Sequence, residues 1–397
     1  MRLRPALDLP FFEDHHRALF ESADRAAERL VAEAGPHDGE DVDAACRGYV
    51  RALGDAGLLR HVVEAEDGGA STRLESRALC LLRACLARHD ALLDFAFAMQ
   101  GLGTGALTLG GTAEQRARWL PKVAEGRAIA AFALSEPHAG SDVSAMTTSA
   151  RPDAHGWVLD GRKTWISNGG IADFYTVFAR TSEATGSRGI GAFIVPADAP
   201  GLVVEERIEV VAPHPLATLR FDACRVPADA LIGAPDGGFK LAMRTLDIFR
   251  PSVGAAALGM ARRALEEALA HTETRTLFGQ RLGDFQLTQA RLADMAAALE
   301  AGELLTWRAA WLRDVRGVRT TREAAISKMV ATESAQTIVD SAVQLLGGLG
   351  VRRGQVVERL YREVRALRIY EGATEVQKLI IARALRAEAA LPEGDAP

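Results

Sequence analysis

The segment WVLDGRKTWISNGGIADFYTVFA, residues 157–179, decides the fold because its short β-type runs contrast with the helical sequence on either side. Within it, the apolar runs 157–159 and 164–166 flank Asp160-Gly161, a dipeptide typical of hairpin turns. Further β-type runs follow at 174–179, 190–195, 208–211 and 218–221, with prolines near their ends. We predict a β domain in the middle of the chain, with one hairpin turn at Asp160-Gly161.

Helical sequence surrounds this β domain. The preceding part is rich in Ala, Leu, Arg and Glu, and Thr112 is expected to cap a helix beginning near Ala113. Helical periodicity returns from Gly238 and lasts almost to the end. We predict a mainly α fold with a central β domain. Its three domains are an N-terminal helical domain (1–128), a middle β domain (129–233) and a C-terminal helical bundle (234–397).

Composition excludes several classes of function. The net charge is only −5 and basic residues form no block, which argues against nucleic-acid binding. The four cysteines form no CxxC pair, so we expect core cysteines rather than a metal site or a disulfide framework. No apolar run reaches the roughly 18 residues of a membrane span, and the N-terminus lacks the features of a signal peptide. We expect a cytoplasmic protein.

Two loops suit a flat polar ligand. In FALSEPHAGSD, residues 132–142, glycine and proline shape a tight loop that offers hydroxyl and backbone N–H donors. In KTWISNGG, residues 163–170, Trp165 and Ser167 would face the same way along an extended strand and could cover and bind a ring. Taken singly, an ordinary strand-to-loop transition and a core tryptophan explain the two loops as well.

Three further motifs lie in the C-terminal part. In RTLFG, residues 275–279, Gly279 fits a helix C′ position and Arg275 would bind a phosphate, although a surface charge is the simpler interpretation. The glycines of QLLGGLG, residues 344–350, permit close backbone approach to a ligand or simply terminate a helix. Glu371 lies at a break between two helical stretches. Partial burial would raise the pKa of this carboxyl group and make it a stronger base, but in isolation a helix N-terminal glutamate is the better interpretation.

All five motifs, in this order, resemble the acyl-CoA dehydrogenase family, and so do FDACRVP at 221–227 and LDIFRP at 246–251. The resemblance covers nearly the whole chain. It implies an N-terminal helical domain, a middle β-barrel or sandwich domain and a C-terminal four-helix bundle. It also implies a homo-oligomer, usually a dimer of dimers, with FAD near a subunit interface.

The resemblance also implies which residues bind FAD and substrate. The flavin ring would be held by residues of the two β-domain loops: Phe132, Leu134, Ser135, Gly140, Ser141, Trp165, Ile166 and Ser167. The FAD of a neighbouring subunit would be reached by Arg275, Phe278, Gln286, Gln344, Gly347 and Gly348, while Ala373, Thr374 and Glu375 would lie along the cofactor. The acyl-CoA site would be lined by Ser141, Asp247, Arg250, Tyr370, Gly372 and Arg383.

The implied reaction is α,β-dehydrogenation of an acyl-CoA thioester, with Glu371 removing the α-proton and flavin N5 accepting the β-hydride. Some relatives carry the base immediately before the arginine that matches Arg250, but Phe249 occupies that position here. An electron-transfer flavoprotein would accept the electrons. The alternatives are an acyl-CoA oxidase-like enzyme and a non-catalytic protein that binds CoA or FAD. Gly101, Gly103 and Gly105 are expected to widen or reshape the far end of the acyl pocket.

Overall fold

A computed structural model describes residues 3, 7–35 and 41–390 of the chain. Helices precede and follow a region of strands, which confirms the predicted mainly α fold with a central β domain, whereas the residue limits of the three domains stay predictions. The α-helices in the described ranges are α1 Asp14–Ala34, α2 Val42–Asp55, α3 Ser76–His89, α4 Ala91–Gly110, α5 Ala113–Ala124, α6 Gly238–Thr274, α7 Gln286–Arg316, α8 Thr321–Leu346, α9 Val356–Leu367 and α10 Thr374–Ala389.

Eight strands between α5 and α6 form one sheet within the described part of the chain. They are β1 Ala130–Ala133, β2 Ser149–Asp153, β3 Gly156–Ser167, β4 Phe174–Arg180, β5 Ile190–Pro196, β6 Leu202–Arg207, β7 Leu216–Pro227 and β8 Leu231–Ile232. Their order is β6-β7-β3-β2-β4-β5-β8, and β1 pairs in parallel with β4. Two short strands after α6, β9 Thr276–Leu277 and β10 Gln280–Arg281, form a separate hairpin.

The prediction of a hairpin turn at Asp160-Gly161 is wrong. Both residues lie inside β3, where the pairing register with β7 shifts between Leu159 and Gly161 and Gly161 adopts φ 144°. The turn comes earlier, at Asp153–Gly156, where β2 and β3 pair antiparallel. Gly161 lies in a β-bulge, and the local sequence does not distinguish a glycine in a bulge from a glycine in a turn. The run 208–211 is also not a strand, since β6 ends at Arg207.

Two compact units can be distinguished by their internal contacts. The first combines residues 1–27, 76–91 and 250–397, and the second combines residues 28–75 and 92–249. The core of the first unit is built from the later part of α6 with α7, α8 and α9, through alanines and larger residues such as Leu258, Met295, Ile338 and Val364. Alternating small and large side chains let these helices approach closely and fill the space between them.

The second unit contains a glycine-dependent contact between α4 and the start of α6. A Cβ atom added at Gly101 would lie 2.6 Å from two ring atoms of Phe249, and one at Gly103 would lie 2.7 Å from the Cβ of Ala130. A Cβ at Gly105 would overlap the side chain of Thr245. The glycines are therefore required by packing. The expectation that they widen a pocket is not supported, because neighbouring side chains fill the space beside them.

Helix α4 is also long and apolar enough to span a bilayer by length and composition. However, 89% of its most apolar window is buried inside the protein, as in the core helix of a soluble protein. At the start of α5, Thr112 accepts from the N–H of Gln115, and the Gln115 side chain accepts from the N–H of Thr112. This capping box confirms the predicted cap. Within the described ranges all four cysteines are buried and unbridged, as expected.

Candidate active site

Backbone strain is concentrated at residues predicted from the sequence to be functional. Of the non-glycine residues with positive φ in the described ranges, three are predicted site residues: Trp165 (φ 60°), Phe278 (φ 49°) and Glu371 (φ 53°). Such conformations cost about 1–2 kcal/mol each and persist where the surrounding structure enforces them. The positive φ angles therefore indicate that the surrounding structure keeps these three residues in a strained backbone conformation.

Glu371 lies in a left-handed turn between α9 and α10. Gly372 follows with φ 92°, so two consecutive left-handed residues reverse the chain between the helices. The N–H of Thr374 donates to the carbonyl of Arg368 at 3.1 Å and closes the turn. We call residues 370–374 the Glu371 turn. Its acidic residue is partly buried, as the sequence suggested, but it precedes α10 rather than belonging to it.

Two buried side chains from neighbouring helices bind the carbonyl groups of this turn. Lys328 of α8 donates through Nζ to the carbonyls of Tyr370 (2.9 Å) and Gly372 (2.8 Å). Gln377 of α10 donates through Nε2 to the same Gly372 carbonyl at 2.7 Å. Both side chains are completely buried. The backbone on each side of Glu371 is therefore fixed by side-chain donors.

Charged groups of both signs surround the turn. Burial lowers the pKa of Lys328 to about 8, and the carboxylate of Glu371 opposes this shift, whereas the guanidinium of Arg250 adds to it. Glu333 accepts from the hydroxyl of Thr374 at 2.6 Å and pairs with Arg368, also at 2.6 Å. The carboxylate of Glu371 thus lies in a local field that contains two buried cations.

The two β-domain loops meet around a buried ion pair. Lys163 at the start of the second loop donates to Glu136 in the first loop at 2.8 Å and to the carbonyl of Leu134 at 2.9 Å. The N–H of Thr164 donates to the carbonyl of Ser135 at 3.0 Å. Lys163 and Glu136 are 0% and 5% exposed. The structure therefore brings Leu134 and Ser135 beside the second loop, as the two-loop prediction required.

Hydrogen bonds fix the charge state of this pair. Burial alone would raise the pKa of Glu136, but the charge of Lys163 and donors from Lys163, Thr147 and Thr148 outweigh burial and lower it to about 2. Burial lowers the pKa of Lys163 to about 8 in spite of the carboxylate beside it. Glu136 is a carboxylate at neutral pH, and it needs a buried donor for each of its oxygens.

Comparison with known proteins identifies the family. Sequence models of the acyl-CoA dehydrogenase N-terminal, middle and C-terminal domains match residues 13–127, 131–224 and 236–386. The chain belongs to the acyl-CoA dehydrogenase family. It is 39% identical over 380 residues to the human mitochondrial short-chain specific acyl-CoA dehydrogenase, covering 95% of this chain and 90% of the relative.

Solved structures agree with this assignment. Butyryl-CoA dehydrogenase from Megasphaera elsdenii is similar with a TM-score of 0.88 and 31% identity, over 97% of this chain and 100% of that protein. A glutaryl-CoA dehydrogenase from Mycobacterium smegmatis in complex with FADH2 is similar with a TM-score of 0.86 and 29% identity, over 96% of this chain and 97% of that protein. This acyl-CoA dehydrogenase is accordingly an FAD-dependent oxidoreductase.

The β-domain loops of this acyl-CoA dehydrogenase fit a flat ring. The indole of Trp165 is 59% exposed although it follows two buried residues, and Ile166 behind it is buried. Gly140 and Ser141 are exposed, and a Cβ added at Gly140 would meet no atom within 4 Å. An accessible aromatic face beside open backbone and hydroxyl groups suits an isoalloxazine ring. The left-handed Trp165 interrupts the alternation that the sequence argument assumed between Trp165 and Ser167.

The residues predicted to reach the FAD of a neighbouring subunit lie at two places on the first unit, whereas Ala373, Thr374 and Glu375 lie at the Glu371 turn and the start of α10. Phe278 and Gly279 form the two-residue turn of the β9–β10 hairpin, with φ 49° and 82°. Gly279 is therefore a hairpin glycine, and its predicted helix C′ role is wrong because α6 already ends at Thr274. Phe278 is 97% exposed. Arg275 and Gln286 flank this hairpin and are exposed as well.

The second place is the end of α8. Gln344 lies in its last turn, Gly347 (φ 58°) terminates it, and both are exposed together with Gly348. A surface groove of about 300 Å³ runs between α7 and α8, and its lining includes Leu287 and Ser341, neighbours of Gln286 and Gln344. The two predicted glutamines thus lie near one groove.

The predicted substrate residues differ in exposure. Tyr370 and Gly372 belong to the Glu371 turn, and Arg250 is buried with its charge acting on Lys328. Asp247 lies one helical turn before Arg250 in α6. Ser141 and Arg383 are exposed.

The two buried lysines have no role in the predictions from the sequence. Lys163 lies in the second β-domain loop, and Lys328 lies outside all five motifs. A signal for Lys328 does exist in the sequence. It occupies the apolar stripe of α8 that includes Ala324, Ala331 and Ala335, all completely buried. A lysine at such a position requires buried partners and is therefore worth examining.

Proposed function

We propose that this enzyme converts a short-chain acyl-CoA thioester into the trans-2-enoyl-CoA, with Glu371 as the base. The observation that carries the proposal is a partly buried carboxylate in a left-handed turn that two buried donors hold. A base that removes a weakly acidic α-proton needs a fixed position relative to its substrate. The charge of the buried Lys328 lies close enough to interact with the carboxylate of Glu371.

In the proposed reaction, the α-hydrogen leaves as a proton and the β-hydrogen leaves as a hydride. The Glu371 carboxylate accepts the α-proton, the electron pair of that C–H bond forms the new double bond, and the β-hydrogen leaves with its pair of electrons. The chemistry that FAD would supply when bound is acceptance of this hydride, the hydrogen together with both electrons. The N–H of Glu371 would donate to the thioester carbonyl and stabilise the negative charge that develops on its oxygen.

We further propose FAD-binding by the two β-domain loops and, from a neighbouring subunit, by the β9–β10 hairpin and the end of α8. Phe278 (97% exposed) and Leu287 (87% exposed) are the two most exposed large apolar side chains of the described residues, and a partner subunit on this face would bury them. A homo-oligomer, a dimer of dimers as the resemblance to the family implies, is part of this proposal. An electron-transfer flavoprotein is the proposed acceptor.

A short acyl group is favoured by the α4–α6 contact. The resemblance aligns Gly101 and its neighbours with residues that line the acyl tail, and the ring of Phe249 fills the space beside Gly101. Little room remains there for a long chain. The names of the human relative and of the Megasphaera protein, which refer to short-chain and butyryl substrates, favour the same interpretation.

The decisive experiment is anaerobic reduction of the purified flavoprotein by acyl-CoA thioesters of increasing length. We expect bleaching of the flavin absorbance, fastest with short chains. In Glu371→Gln, the FAD content should stay unchanged and the rate of bleaching should fall about 1,000-fold, as for the loss of a general base. Glu388→Gln is a matched control, since Glu388 is a surface residue at the far end of α10 that pairs with Arg322.

The alternatives give different results in the same experiment. Wild-type bleaching rates in Glu371→Gln would contradict the assigned base. Reduced enzyme that reoxidises in air faster than with an electron-transfer flavoprotein would indicate an oxidase. A colourless protein that does not take up FAD would indicate a non-catalytic relative.

A further inference from the structure

Lys328 is a cation in a position where the fold otherwise uses alanine. It projects from α8 on the same face as Ala324, Ala331 and Ala335, and it is completely buried. Burying an ammonium group is unfavourable unless its donors are satisfied. Two of those donors bind carbonyl oxygens in the Glu371 turn, 42 and 44 positions further along the chain.

The two carbonyls bracket the proposed base. Because a peptide unit is planar and trans, the carbonyl of Tyr370 and the N–H of Glu371 belong to one plane and point in opposite directions. A donor that fixes the Tyr370 carbonyl therefore fixes the direction of the Glu371 N–H. In the same way, the bond to Gly372 fixes the N–H of Ala373. Lys328 thus orients the Tyr370–Glu371 plane directly before the proposed base and the Gly372–Ala373 plane that follows one residue later.

We propose that Lys328 is a positioning residue that holds the Tyr370–Glu371 peptide plane so that the N–H of Glu371 points at the thioester carbonyl while its carboxylate meets the α-carbon. This inference rests on the proposed function. A charged donor also polarises the peptide unit, since hydrogen bonds in a chain strengthen one another, and this makes the Glu371 N–H a better donor. The lysine acts through the backbone and touches neither substrate nor flavin.

The remaining contacts of the turn fit this role. Gln377 binds the Gly372 carbonyl but lies 3.5 Å from the Glu371 carbonyl and makes no described hydrogen bond to Tyr370. Among the described hydrogen bonds, only Lys328 reaches the Tyr370 carbonyl with a side chain. The carboxylates of Glu371, Glu333 and Glu375 all favour the charged form of Lys328. Gln377 therefore supports the Gly372–Ala373 plane, and the side chain of Lys328 binds the carbonyl of the Tyr370–Glu371 plane.

The test replaces Lys328 with methionine, which has a similar length but no donor. We expect unchanged FAD content and an acyl-CoA dissociation constant within about threefold of wild type. The rate of flavin reduction at saturating substrate should fall about 30- to 100-fold. Amide hydrogen exchange, followed by mass spectrometry, should become faster in a peptide that contains residues 370–374. Gln377→Leu removes the contacts with the Gly372 and Glu371 carbonyls but leaves the bond from Lys328 to the Tyr370 carbonyl, so its rate should fall less, by about threefold.

Thr332→Val is the matched control. Thr332 is one helical turn further along α8, is also completely buried, and its hydroxyl donates to the carbonyl of Lys328 at 2.9 Å. It makes no described contact with the Glu371 turn, so we expect wild-type reduction rates and wild-type exchange in residues 370–374. If the methionine variant fails to fold, Lys328→Gln undergoes the same measurements, with the same expected direction.

Wild-type reduction rates or wild-type exchange of residues 370–374 in the Lys328 variants would overturn the inference. A loss confined to FAD content or to substrate affinity would overturn it as well, because that pattern indicates general destabilisation. The exchange measurement needs no activity. If no acyl-CoA reduces the wild-type flavin, the proposed function fails, while the exchange rates still show whether Lys328 holds the turn.

Discussion

Replacing Lys163 with methionine is expected to destabilise the two β-domain loops that we propose bind the flavin. In the wild type, Nζ of Lys163 binds Glu136 at 2.8 Å and the Leu134 carbonyl at 2.9 Å, in surroundings closed to solvent. Methionine preserves the length and apolar volume of the side chain and removes both hydrogen bonds. The Glu136 carboxylate would then be buried without a counter-charge.

The structure sets the size of the effect. Loss of one partner of a buried ion pair costs about 3–5 kcal/mol. Glu136 keeps three donors, the N–H and hydroxyl of Thr147 at 2.7 and 2.9 Å and the N–H of Thr148 at 2.9 Å, so the lower end of that range applies. We expect a loss of about 3 kcal/mol in the free energy of unfolding. This loss is large, since most domains have only about 5–15 kcal/mol.

Urea denaturation, followed by tryptophan fluorescence and by release of FAD, measures this loss. The double variant Lys163→Met/Glu136→Gln removes the buried charge together with its partner. It should therefore regain about half of the lost stability, so that in a double-mutant cycle the double variant loses less than the sum of the two single variants. FAD should dissociate more readily from the single variant than from the double variant.

Two results would refute this reasoning. A single variant that loses less than about 1 kcal/mol would mean that the carboxylate is solvated or protonated without Lys163. Strictly additive single and double variants would mean that the two side chains do not interact. Arg151→Met is a suitable control, because Arg151 forms an exposed ion pair with Asp160 at 2.6 Å, and such pairs contribute little to stability.

Two further predictions concern the same unit. The pKa of Glu136 is lowered to about 2, so the contribution of its carboxylate to folding stability is fully present above about pH 4.5 and is lost as the pH falls through 2. Urea titrations should therefore show that the stability difference between wild type and Glu136→Gln shrinks by about 3 kcal/mol over that range. Phe249→Ala should cost about 3–4 kcal/mol through the cavity left beside Gly101 and should shift the preference in flavin bleaching toward longer acyl chains. An unchanged chain-length profile would contradict the proposed role of Phe249.

Local sequence predicted the parts of the fold that depend on near neighbours. The order of helices and strands and the Thr112 capping box follow from hydrophobic period and from residues three positions apart. The same reasoning failed at Asp160-Gly161 and at Gly279, where glycine could serve a bulge, a hairpin or a helix end. The strand or helix that pairs with the segment decides whether a bulge, a hairpin or a helix end is formed. That partner lies elsewhere in the chain.

The sequence by itself singled out Glu371, through its motif and through Phe249 at the alternative position for the base. Only the tertiary structure revealed how that residue is held, because Lys328 is 42 positions from the carbonyl it binds and Lys163 is 27 positions from Glu136. The α4 glycines likewise acquired their role from α6, which packs against them. Each of these contacts joins segments distant in sequence. The ordered motifs, through the resemblance to the family, therefore name the proposed base, whereas burial and long-range hydrogen bonds decide its backbone conformation.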